Sequence, residues 1–122
     1  MAMVKSLGRM VLAGVFISGG ANTFTNPDSR AVKVAKAGIP QAREATILNG
    51  ATMVVAGTAL ALGIAPRLAA TVLAASLIPT TFVGHPFWQE ENPANRAGQQ
   101  IHFLKNMAIL GGLLFVIADK DQ

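Results

Sequence analysis

Two short polar blocks break into otherwise apolar sequence: His85-Pro86-Phe87-Trp88, and the group Gln99, His102, Lys105 and Asn106. A histidine titrates near neutrality, with an unperturbed pKa of about 6.5, so His85 suits a proton carrier or a hydrogen-bond partner for a carbonyl. Gln99, His102 and Asn106 stand at i, i+3 and i+7 and share one face of a helix. In an apolar protein that face turns toward the interior. A quinone head requires partners for its carbonyls, an apolar slot for its tail and an aromatic wall. His85, His102, Trp88, Phe103, Gln99 and Asn106 are the residues that could supply them. The same residues also fit an interfacial belt, with Trp88 and Phe87 at headgroup depth and His85 hydrogen-bonded beside them. Two histidines on adjacent helices can ligate a haem, but nothing else here supports haem. A metal site is not expected, because two histidines come without a nearby buried carboxylate and the chain has no cysteine.

Other polar residues sit deeper. Asn22 is expected to pair across helices with Asn49 and Thr52, and Glu44 to meet Lys105 or Arg43 at the membrane interface. Intramembrane amides of this kind serve either function or helix pairing.

The elements that hold these residues follow from charge distribution. Of 122 residues 52% are hydrophobic and only 13% charged, about half the charged fraction of a soluble domain. No Asp, Glu, Lys or Arg occurs in residues 10–27, 45–66 or 68–89, and Lys105 is the only one in 101–118. Such composition excludes a disordered chain, and the length excludes two soluble domains. Hydrocarbon about 30 Å thick is crossed by roughly 20 helical residues. Every backbone polar group must be satisfied within the protein there, and the strand alternation of a barrel is lacking. The expected fold is therefore all-α: one polytopic membrane domain over 1–122, a four-helix transmembrane bundle with spans near 7–24, 46–64, 68–84 and 101–118.

The connections differ. Gly63 can take a positive φ and end one helix while Pro66 begins the next, giving a tight hairpin. Residues 26–43 are long and basic, with Val32, Ala35 and Ile39 at helical spacing and Arg30, Lys33 and Lys36 on another side. They fit a short amphipathic surface helix or an irregular solvated loop. Residues 85–100 read as irregular. Pro79 is expected to kink the third span near His85. Gly14 and Ser18, Gly50, Gly57 and Ala61, Ala70 and Ala74, and Gly111 and Gly112 are the small residues expected where helices approach closely. Lys5 and Arg9 before the first span resemble the start of a secretory signal, but three further spans favour a retained helix.

With four spans, Lys5, Arg9, Arg67 and Lys120 share one side, and Arg30, Lys33, Lys36, Arg43, Arg96 and Lys105 the other. The second group is larger, which leans toward its loops facing the cytoplasm; Lys5 and Arg9 beside the first span pull the other way. The net charge of +4 suits anionic lipid headgroups, and nucleic acid is not an expected partner.

Over nearly its whole length the chain resembles the DoxX family of small four-helix bacterial membrane proteins. The resemblance rests on the opening helix from Gly8-Arg9-Met10 to Ser18-Gly19-Gly20 and on Gly38-Ile39-Pro40. It rests further on His85-Pro86-Phe87-Trp88, Gln99, Phe103-Leu104-Lys105-Asn106 and Gly111-Gly112-Leu113-Leu114. It implies a multi-pass protein of the plasma membrane and a polar set of Arg9, His85, Trp88, Gln99, Lys105 and Asn106. Family members are linked to quinone-reducing, sulfur-handling and oxidative-stress membrane complexes. The expected function is then an accessory or quinone-contacting subunit of a membrane oxidoreductase complex, rather than a stand-alone catalyst. Membrane lipids, further redox subunits or a second copy of the chain are the expected partners, and quinone the one cofactor considered. Lack of cysteine speaks against thiol redox chemistry. The alternatives are a structural or assembly protein and, last, a small transporter.

Overall fold

The computed structural model describes residues 1–120. Its helices are α1 (Ala2–Thr25), α2 (Asp28–Lys36), α3 (Ala42–Leu62), α4 (Pro66–Gly84) and α5 (Pro93–Ala118), with a 3-10 turn at Phe87–Gln89. Among the described residues no strand occurs. Four stretches, Ala2–Thr25, Ala42–Leu62, Pro66–Gln89 and Pro93–Ala118, are long and apolar enough to cross a membrane. The chain is thus an all-α, multi-pass membrane protein. Most of the charges lie near the ends of these stretches or between them, where water and headgroups solvate them.

α1 packs along α3, α3 on α4, and α4 on α5, while α1 touches α5 more lightly. The shared core is small: Ala13, Phe16, Ala56, Leu60, Ala69, Ala70, Leu73, Ala74, Leu77 and Leu113. Large apolar side chains such as Val55, Leu68 and Phe115, at 71%, 66% and 81% exposure, face outward. In water that would be an aggregating surface; in lipid it is the expected one.

The α1–α3 seam is set by glycine. A Cβ on Gly20 would stand 2.7 Å from the Gly50 carbonyl oxygen and 2.8 Å from Met53 Cβ. One on Gly50 would stand 2.8 Å from the Phe24 backbone nitrogen, and one on Gly57 would press on Phe16 and Ile17. Gly50 and Gly57 therefore do the packing their spacing suggests, and Gly20 joins them. Gly14 and Gly111 do not, since nothing lies within 4 Å of a Cβ placed on either.

The α3–α4 hairpin forms as its punctuation predicts: Gly63 takes φ +73 and Pro66 opens α4. Ala65, at φ +42, also enters the left-handed region, which costs a non-glycine residue of order 1 kcal/mol. Of the two readings of residues 26–43, the helical one holds, for α2 is a helix with no buried residue.

One expectation about the connections needs correction. Residues 85–100 are not wholly irregular, because α5 already begins at Pro93. Asn92 caps it, its Oδ1 accepting from the Ala94 N–H at 2.9 Å, and Pro93 occupies the first turn, where no N–H is needed. Apolarity marks where the hydrocarbon begins, not where the helix does; the polar residues 93–100 extend α5 by about 12 Å into the headgroup zone. Pro79 lies inside α4, which stays helical from Pro66 to Gly84.

Gly20→Ala is expected to cost about 1–3 kcal/mol by overpacking and to lower the thermal unfolding midpoint in detergent. Gly14→Ala and Gly111→Ala, with open space around them, should stay within about 0.5 kcal/mol of the parent.

Candidate functional site

The end of the bundle carrying α2 gathers most of the polar side chains. His85 follows the last residue of α4, where its backbone N–H donates to the Thr81 carbonyl at 2.9 Å. Its Nδ1 lies 2.7 Å from Gln99 Oε1. That oxygen only accepts, so Nδ1 carries a hydrogen, and in the neutral ring Nε2 keeps the lone pair. The His102 ring, one turn along α5 from Gln99, stacks on His85 with centroids 5.0 Å apart and planes 21° apart. Lys105 Nζ approaches His102 Nδ1 at 3.4 Å.

Beside this pair, Phe82 of α4, Phe87 and Trp88 of the 3-10 turn, and Phe103 of α5 form one aromatic cluster. Its ring centroids lie 5.3–5.8 Å apart, mostly edge to face, the arrangement that ring quadrupoles favour. The cluster pins the turn after His85 to α5 and so fixes where His85 meets Gln99.

Deeper in, two amides link helices. Asn106, 7% exposed, donates from Nδ2 to Thr81 Oγ1 at 3.0 Å. Thr81 donates its own hydroxyl hydrogen bond to the Leu77 carbonyl at 2.7 Å. Asn49 of α3 accepts at Oδ1 from Ser76 Oγ (2.5 Å) and donates from Nδ2 to Thr80 Oγ1 (3.3 Å). Ser76 and Thr80, one turn apart on α4, thus hold both ends of one amide.

Beneath α2 lies a cavity of about 570 Å³, within the range of small-molecule sites. Its inner wall is apolar, with Phe16, Met53, Leu77 and Ile109, and its polar lining includes Asn49, Thr80, His85 and Asn106. The outer wall is α2 itself, with Arg30, Lys33 and Val34. Lys33 ties α2 to the end of α4 by donating to the Gly84 carbonyl at 3.0 Å. Arg43 meets Asp28 at 3.1 Å in an exposed pair, which contributes little to stability.

The structure therefore divides the residues that the sequence grouped. His85, Gln99 and His102 come together, with Trp88 and Phe103 beside them in the ring cluster; of the five candidate ligand-binding residues only His85 and Asn106 line the cavity. His102 and Lys105 are exposed. Arg9 lies at the opposite end, against the Gly63 turn and donating to Ser6 Oγ at 3.2 Å. It shares that end with the Lys5–Asp119 pair at 3.1 Å and with Arg67, whose Nε donates to the Ile117 carbonyl at 2.9 Å.

Asn22 does not pair with Asn49. It is exposed and accepts from Asn26 on its own chain turn at 3.3 Å, because the glycine contact of α1 with α3 turns Gly20 and Thr23, not Asn22, into the seam. Thr52 donates to the Leu48 carbonyl of its own helix at 2.9 Å. Arg43 takes Asp28 rather than Glu44, and Lys105 takes His102. Sequence reading missed Ser76, Thr81 and Lys33 as partners; hydroxyls at i and i+4 on α4 (Ser76 and Thr80) were the available signal.

A family model described as DoxX matches residues 4–86. No curated protein and no solved structure matches the chain. The match takes in α1 to α4 and stops one residue past His85, so α5 and its side of the cluster lie beyond it.

Thr81→Val keeps the shape of the side chain but removes the acceptor of the buried Asn106 amide. It should cost about 0.6–2 kcal/mol and lower the unfolding midpoint. Combined with Asn106→Leu, part of that loss should return, and a double-mutant cycle reads the coupling directly.

Proposed function

This chain belongs to the DoxX family, and from that premise we propose that it is an accessory subunit of a membrane oxidoreductase or oxidative-stress complex, seated in the plasma membrane and contacting a quinone. The observation that carries the reading is the cavity beneath α2, polar at His85, Asn49, Thr80 and Asn106 and apolar inward from them.

A quinone cycles between a ring with two carbonyl acceptors and a ring with two hydroxyl donors. His85 suits both forms. With Nδ1 committed to Gln99, Nε2 accepts a hydroxyl hydrogen bond from the reduced ring when neutral and donates to a carbonyl when protonated. The apolar inner wall takes a prenyl chain. Gln99 and the stack with His102 act as positioning groups, since they orient the imidazole without lining the cavity. The side chains present offer proton handling and binding; electron transfer would belong to a partner subunit.

The chain's single tryptophan, Trp88, provides the assay, because quinones quench indole fluorescence. Titrating the purified protein with a short-chain ubiquinone analogue should give saturable quenching. His85→Ala should weaken binding roughly tenfold, the worth of one hydrogen bond, while Lys105→Ala should change it little. Linear, unsaturable quenching, together with failure to copurify any redox subunit, would contradict the proposal.

A further inference from the structure

The charge on the cavity wall is one-sided. Arg30 and Lys33 of α2 line it together with His85, and among the described residues no Asp or Glu side chain does. The acidic groups closest in sequence lie off the lining: Asp28 is taken by Arg43 at 3.1 Å, and Glu44 is exposed. Lys33 spends one of its three N–H donors on the Gly84 carbonyl at 3.0 Å, which anchors the ammonium at the rim and leaves two donors. Arg30 offers a planar fork suited to two oxygens of one anion. Opposite these cations the wall is apolar, through Phe16, Met53, Leu77 and Ile109. Val15 and Ile39, which also line the cavity, are 43% and 40% exposed, so the cavity is open to the surroundings on the α1 and α2 side. A neutral ring would leave the α2 cations unused.

We infer that this cavity binds an anionic head, a phosphate or carboxylate carried on an apolar chain, with the head on Arg30 and Lys33 and the chain against the inner wall. The inference does not rest on the quinone reading, because the two heads engage different walls of the cavity, α2 here and His85 there, although both chains lie along the same apolar inner wall. Either a membrane phospholipid or a free single-chain amphiphile could present that chemistry.

The test is thermal unfolding of the full-length protein in maltoside micelles with three added probes: dodecyl phosphate, dodecanol and dioleoyl phosphatidylglycerol. Dodecyl phosphate should raise the midpoint saturably by at least about 4 °C, and dodecanol should not. Arg30→Gln with Lys33→Gln should weaken the apparent affinity at least about tenfold, and a charge-matched Lys36→Gln with Arg96→Gln control should leave it intact. Because Lys33 also holds α2 to α4, Arg30→Gln alone serves as the second variant, with an intermediate loss expected. A shift with phosphatidylglycerol as large as with dodecyl phosphate assigns the head to a membrane lipid; a shift confined to the single-chain probe assigns it to a free amphiphile. Equal shifts with dodecanol, equal losses in the control, or no shift with either anionic probe would overturn the inference. Retained quenching of Trp88 by quinone in the Arg30 and Lys33 variants would show that the quinone reading survives such a failure.

Discussion

In hydrocarbon no water completes an unfinished hydrogen bond, and the chain answers that constraint at nearly every polar side chain within its spans. The eight threonines all donate their hydroxyl to the carbonyl four residues earlier: Thr23 to Gly19, Thr25 to Ala21, Thr46 to Ala42, Thr52 to Leu48, Thr58 to Val54, Thr71 to Arg67, Thr80 to Ser76 and Thr81 to Leu77. A hydroxyl that satisfies itself on its own helix needs no partner and can face lipid, as Thr58 and Thr71 do. It still has lone pairs to offer, and Thr80 and Thr81 lend theirs to Asn49 and Asn106. An amide cannot close on itself in this way, so each buried one ties a second helix.

From this follows the division of labour along the bundle. α1 and α3 meet through glycine, with backbone near backbone and no polar bond between their side chains needed. α4 meets α3 and α5 through hydroxyl–amide pairs and holds its end with the aromatic cluster. Where the helices diverge beneath α2, a space opens that neither device fills. Beside the paired Asn49, Thr80 and Asn106, three of the groups bordering it keep hydrogen-bonding capacity to spare: Nε2 of His85, the remaining donors of Lys33, and Arg30. A ligand there would complete what the helices leave unpaired, and both proposals draw on that single fact.

How much of this the sequence discloses depends on the range of each signal. Spans are legible because a charge in hydrocarbon costs several kcal/mol, so 45–66 and 68–89 had to be crossings. The hairpin is legible because Gly63 and Pro66 act locally. Helix ends in the headgroup zone are not: apolarity stops at Ile101 while Asn92 starts the helix. Nor are partners across helices. Asn49 and Asn22 look equally deep, and only the rotation imposed by Gly20 against Gly50 decides that Asn49 meets Ser76 and Thr80 while Asn22 turns outward. The meeting of His85, Gln99 and His102 was readable, because a short connection joins two helices whose polar faces have fixed periods. The cavity was not, because α2 folds back over the bundle through a lysine-to-carbonyl bond that no local pattern encodes.

The central claim is that four charge-poor helices cross a bilayer with α2 and the His85 cluster at one face and the α3–α4 turn at the other. The chain contains no cysteine, so single cysteines at Ala35, Asn95, Ile64 and Val55 can be probed in sealed vesicles with a membrane-impermeant maleimide. The account predicts that Ala35→Cys and Asn95→Cys react from one side and Ile64→Cys from the other. Val55→Cys, 71% exposed on the bare bundle, should react from neither, because lipid covers it. Labelling of Ala35→Cys and Ile64→Cys from the same side, or ready labelling of Val55→Cys, would contradict it.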